Sequence, residues 1–324
     1  MTKNSKNKDS NVSIASLHGL RGFAAILVFW YHARWKAGDP ELSIFGFDFR
    51  RFLQHCDIGV CLFFVLSGFL LTLKYCDWVF DSGSSKPRPD TPKYFSRRLA
   101  RILPLYFIVV FVFCAFDRFT YNAYGLLDVF LHVSCLHTFC SFSYTSINPV
   151  LWTIGIEVQF YLLLPLLMVA MKYLHQKLGW VAGMAILLAT FFVIQAGFHQ
   201  LQLFSAGFVP DKILDSNGAM PQTIFYYLPW FWVGIGLAFV RYHWSHLAVT
   251  GMALELSFLL SAGAFVLLIV FSTEGGWRSV SFWGWPLNCI VVAALIATSS
   301  TSQVGRFLFD NQFMRFLGEL SYGV

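Results

Sequence analysis

Charged side chains are scarce in this sequence. Asp, Glu, Lys and Arg together make up 12% of its 324 residues, whereas soluble domains carry about a quarter. That scarcity excludes an ordinary soluble globule. The seven cysteines show no regular spacing of a disulfide framework. Internal repeats and low-complexity tracts are absent too, and only one stretch, "DSGSSKPRPDTPK" at residues 81–93, has the composition of a linker. The net charge of +6 belongs to no soluble basic domain able to grip a phosphate backbone, so no nucleic-acid partner is expected.

What the chain has in abundance is apolar surface: 57% of its residues are hydrophobic and 19% aromatic. A spanning helix needs about 20 apolar residues. Apolar runs bounded by charge or turn residues fall at 17–35, 57–76, 101–116, 151–171, 179–197, 222–240, 251–271 and 283–299, which predicts an all-α, polytopic membrane helix bundle with about eight complete spans and the start of another. Residues 1–15 are polar and basic, and we read them as a tail preceding a transmembrane domain over 16–324. With the N-terminus in the cytoplasm, the inner segments hold sixteen of the Lys and Arg residues and the outer ones seven. The positive-inside rule therefore favours a cytoplasmic N-terminus.

Four segments carry polar chemistry within this apolar background. In "GLRGFAAILVFWYHARW", residues 19–35, Arg21 and His32 are eleven residues apart. On a helix that is three turns plus about 20°, so the two share one stripe about 16 Å apart along the axis. Arg21 falls at the inner headgroup level and His32 about halfway across the hydrocarbon, a costly place unless it faces a polar cavity. Taken singly, Arg21 also suits a snorkelling anchor and His32 an interhelical hydrogen bond.

In "NPVLWTIGIEVQFYLLLPLL", residues 148–167, Glu157 lies about two turns into an apolar span with Gln159 close by. A carboxylate there is paired or protonated, and Glu with His in one bundle suits proton movement. Glu255 lies nearer a helix end and reads as an ion-pair or cap residue. In "YFSRRLARILPLY", residues 94–106, Arg97 and Arg101 project from one face beside Arg98, while Pro104 disturbs the backbone bonding. Such arginines hold phosphates bidentately or simply fix topology against anionic lipid. In "GVCLFFVLSGFLLT", residues 59–72, Ser67 and Gly68 allow close helix approach or leave room for the narrow chain of a ligand.

The spacing of His132, Cys135, His137 and Cys140 in "HVSCLHTFC" suggests zinc ligands at first sight. On a helix these four point around more than half the circumference, so only a loop could gather them. Ordinary packing is the stronger reading, and no metal is expected.

"LHGLRGFAAILVFWYH", "FFVLSGFLLT", "FSRRLARILPLY", "LWTIGIEVQFYLLLP" and the closing "FLGELSYGV" occur in the order seen in the membrane-bound acyltransferase 3 family, which this chain resembles from about residue 16 onward. The resemblance implies transfer of an acyl group, most often acetyl, from acyl-CoA as co-substrate to a hydroxyl of a carbohydrate, lipid or small metabolite. It implies that Arg21 and His32 match the essential pair of the first-helix motif. Glu157, with Trp152 and Tyr161, matches the Trp-containing Glu motif, and Arg97, Arg98 and Arg101 match a cytoplasmic motif used on the nucleotide. On that basis His32 serves as general base or carries the acyl group, with Glu157 as its orienting or relaying partner, Arg21 beside them, and Ser67, Trp152 and Tyr161 lining the donor site. The family continues through a further span or two beyond "LGELSYGV", so the resemblance also implies a domain that is incomplete at its C-terminus, and an inactive remnant is one alternative. A proton-coupled multi-pass transporter is another.

Overall fold

A computed structural model describes residues 3–37, 43–44, 47–81, 87–116, 125–140, 142–206, 223–244, 251–271 and 284–321. The expected linker is therefore described only at its ends, because residues 82–86 lie outside the described ones. Twelve α-helices run through the described residues: α1 (Lys3–Lys36), α2 (Phe49–Gln54), α3 (Ile58–Phe80), α4 (Thr91–Phe116), α5 (Gly125–Val133), α6 (Trp152–Leu178), α7 (Trp180–Ala206), α8 (Ile224–Trp244), α9 (Met252–Phe271), α10 (Gly284–Ser299), α11 (Gln303–Phe309) and α12 (Gln312–Leu320). Beyond these there is one short antiparallel pairing, Ser43 with Asp48 and Ile44 with Phe47, and a 3₁₀ turn at His137–Phe139.

The all-α, polytopic class holds among the described residues. Among the described residues, five helices, α3, α4, α6, α8 and α9, are long and apolar enough to cross a membrane, and a sixth is reached if α10 and α11, bent by 91°, are counted as one span. No proline interrupts residues 3–36, and α1 starts at Lys3, ahead of the apolar run at 17–35.

Helix boundaries follow local chemistry. Asp90 accepts from the Lys93 amide (3.1 Å) just before α4, with Pro92 early in the first turn, where its missing N–H costs nothing. α4 then continues through Pro104. Gly179, at φ 84°, closes α6 and separates it from α7; only glycine adopts that conformation without strain. Glu255 proves to be a cap: its carboxylate accepts from the Gln303 (2.5 Å) and Val304 (3.1 Å) amides at the start of α11.

The chain divides into two compact units, one comprising residues 1–70 with 233–322 and the other residues 71–232. The division passes through α3 and α8, each an unbroken helix. In the first unit α1 is held by α12, α11 and α2. A Cβ on Gly19 would meet the Phe309 carbonyl oxygen at 1.7 Å, one on Gly22 that of Met314 at 2.4 Å, and one on Gly318 that of His18 at 2.0 Å. Backbones that close require glycine, which is why the glycines of "GLRG" and "LGEL" face one another. In the second unit α4, α6 and the 134–151 segment enclose a core of Tyr106, Val110, Cys135, Ile147, Leu151 and Val158.

Candidate active site

Because α1 is one uninterrupted helix, it keeps Arg21 and His32 on a single stripe. Arg21 is 3% exposed, and its guanidinium carbon lies 5.3 Å from the Phe63 ring centroid on α3. That depth is incompatible with a snorkelling anchor, whose charged end reaches water, and the contact is of the cation–π kind. α3 can come this near because Gly59 has no side chain: a Cβ there would be 2.6 Å from the Ala24 carbonyl oxygen.

His32 is half-buried, and its Nδ1 lies 2.8 Å from the Val28 carbonyl oxygen. A carbonyl only accepts, so Nδ1 carries the proton and donates it. The lone pair is left on Nε2. Ser67, further along α3, is buried beside a close backbone approach, since a Cβ on Gly234 of α8 would be 2.1 Å from the Val65 carbonyl oxygen and 2.7 Å from the Phe69 amide. These residues, with Arg21 and His32, belong to the first unit.

Glu157, Tyr161, Trp152 and the three arginines belong to the second. Glu157 and Tyr161 stand one turn apart on α6, and the Tyr161 hydroxyl donates to Glu157 Oε1 at 2.5 Å. Tyr94, at the start of α4, donates to the Tyr161 carbonyl oxygen (3.3 Å) and lies within electrostatic reach of both Glu157 and Arg98. Arg97 and Arg101 are exposed and Arg98 half-buried. Lys74, from the end of α3, adds another positive charge within reach of Arg97 and Arg98. Trp152, buried at the head of α6, stacks on Tyr227 with centroids 4.9 Å apart.

The opposite side of the same α6 motif organises the loop that follows α5. Gln159 donates to the Cys135 carbonyl oxygen and to Thr138 Oγ1, both at 2.8 Å. Gly155 makes room for His137, whose Cε1 would be 2.7 Å from an added Cβ. The rings of His132 and His137 stack at 4.2 Å, inclined by 12°. Rings so nearly parallel cannot both aim an in-plane lone pair at one ion, and no group of three or more His, Cys, Asp or Glu suited to a metal occurs among the described residues. Cys135 occupies the left-handed position (φ 56°) of a helix-ending turn in which the Leu136 amide donates to the Leu131 carbonyl and the Cys135 amide to that of His132.

Sequence reasoning missed Tyr94 and Lys74 as neighbours of the arginine group. Tyr94 stood inside the quoted arginine segment, but nothing in its spacing pointed to α6. Lys74 read as a topology charge. Gln159 and His137 were visible without any signal that one would hold the loop carrying the other.

The model of the family described as an acyltransferase domain matches residues 14–324. ORF330 of Acidianus two-tailed virus is 30% identical over 207 residues, covering 61% of this chain and 54% of that protein. YrhL of Bacillus subtilis is 26% identical over 335 positions, covering 96% of this chain and 47% of that protein. The peptidoglycan O-acetyltransferase OatA of Listeria monocytogenes is 25% identical over 341 positions, covering 96% of this chain and 48% of its own length. The chain thus spans about half the length of these relatives, and no solved structure gives a significant match. With the family model covering nearly the whole sequence, the chain belongs to the acyltransferase 3 family.

Proposed function

We propose that this protein is a membrane O-acetyltransferase that takes an acetyl group from acetyl-CoA and passes it to a hydroxyl of a carbohydrate, lipid or small metabolite. His32 is the general base. Its Nε2 takes the acceptor's hydroxyl proton as the oxygen attacks the thioester carbonyl, the carbon–sulfur bond breaks, and the CoA thiolate recovers the proton from the imidazolium. The observation that carries the proposal is the bond from His32 Nδ1 to the Val28 carbonyl, which fixes the tautomer a base requires. Arg21 supplies a fixed positive charge on the same stripe. Arg97, Arg98 and Arg101, joined by Lys74, hold the donor's phosphates from the cytoplasmic side. Glu157, oriented by Tyr161, supplies a carboxylate to the reaction, and Ser67 and Trp152 serve in donor binding. The N-terminus is cytoplasmic in this scheme, in keeping with the distribution of Lys and Arg.

The names of the bacterial relatives favour acetyl as the group transferred. The test is release of CoA from acetyl-CoA by the full chain in lipid vesicles with a hydroxyl-bearing acceptor. His32→Ala lowers turnover by about 10²–10⁴-fold with donor affinity retained, whereas Arg98→Gln weakens donor binding in a salt-dependent way. A His32→Ala protein that turns over at the wild-type rate overturns the assignment of the base. Absence of CoA release with every acceptor class overturns acetyl-CoA as donor.

A further inference from the structure

In the first unit, α9, α10, α11 and α12 close against α1 around a cavity of about 270 Å³. Phe258, Ala262 and Phe265 supply one wall from a single stripe of α9, Phe23 the wall on α1, and Leu295 and Met314 two more. No polar side chain lines it. This is no stretch of ordinary lipid-facing surface, since Phe258, Phe265 and Leu295 are at most 2% exposed while Leu259, Leu260 and Leu267, on the other side of α9, are more than half exposed.

Such a space does not stay filled with water, because a buried water needs two or more polar partners and none is offered. Left void, it costs stability in proportion to its volume. A cavity of roughly 150 Å³ lined by Leu, Ile and Phe stays dry and takes a hydrocarbon guest, and this one is larger. A sugar or nucleotide entering it would bury hydroxyls or phosphates without partners. The guest is therefore alkyl.

Its source follows from the surrounding helices. α9 is among the helices able to cross a membrane, so the mouth, where Val266 and Leu308 are nearly half exposed, opens towards hydrocarbon. α11 and α12 are short and expose Phe307, Phe313 and Phe316 beside Arg306 and the Arg315–Asp310 pair. Aromatic rings mixed with basic residues are the composition of a membrane–water interface.

We propose that this cavity is a binding site for the alkyl chain of a bilayer lipid, held beneath the interfacial helices α11 and α12 with its head group at their polar residues. The site is independent of the acetyl-transfer chemistry, although Phe23 places its occupant two residues from Arg21 on α1.

The test uses the full chain in phosphatidylcholine vesicles doped with phosphatidylcholine bearing a photoactivatable diazirine near the end of one acyl chain, with labelled residues mapped by mass spectrometry. Labelling is expected to concentrate several-fold on the segments around Ala262, Leu295 and Met314 relative to Leu259 and Leu267. Ala262→Phe fills the cavity and removes that excess. Leu295→Ala enlarges it and raises the excess, a change of opposite sign that mere misfolding does not produce. Even labelling around α9, or an excess unchanged in Ala262→Phe, overturns the proposal.

Discussion

The Tyr161 hydroxyl donates to the Glu157 carboxylate at 2.5 Å, one turn away on α6. Glu157 thus has a fixed donor in an apolar helix, and its orientation depends on the phenol. A hydrogen bond to a charged acceptor contributes about 1.5–3 kcal/mol. Tyr161→Phe keeps the ring and removes the donor. We expect turnover to fall by about tenfold or more, the rate equivalent of the lower end of that range, with the protein still folded. Initial rates and thermal unfolding of the purified variant check this. An unchanged rate means that the Glu157 carboxylate takes no part.

The backbone approach of α1 and α12 predicts a stability effect. A Cβ on Gly318 would sit 2.0 Å from the His18 carbonyl oxygen, and backbone cannot rotate away as a side chain can. Gly318→Ala is expected to destabilise by at least about 1–3 kcal/mol, as overpacking does, whereas alanine at Gly263, where nothing lies within 4 Å, gains the slight advantage alanine has over glycine in a helix. Denaturation midpoints of the two variants should move in opposite directions. Equal midpoints contradict the packing.

Acid should weaken the loop after α5. Burial, helped by the neighbouring His132, pushes the His137 imidazole down to about 3, while the unfolded chain titrates near 6.5. Between those values the unfolded state binds more protons, so stability is lost as pH falls through that window, by at most about 1.4 kcal/mol per pH unit. His137→Gln, which cannot take up the proton, should flatten that part of the stability profile. A wild-type profile that is flat between pH 4 and 6.5 rules out the buried neutral imidazole.

Much of the arrangement of the candidate residues was legible in one dimension because it depends on helical periodicity. Arg21 and His32 share a stripe on any unbroken helix, and Glu157 with Tyr161 is an i, i+4 pair wherever α6 forms. Segment hydropathy likewise located the helices.

What the sequence by itself determined is therefore the membrane class, the order of the motifs and the relationships within each helix, all consequences of composition and a 3.6-residue repeat. Only the tertiary structure decided which helices touch. It buried Arg21 against Phe63, brought Tyr94 of α4 to the Tyr161 carbonyl of α6, set the glycines of α1 against those of the last helices, and left an apolar cavity between α1 and α9. Those contacts join residues tens to hundreds of positions apart. They depend on side-chain shape and on where a Cβ is missing, which no local period encodes.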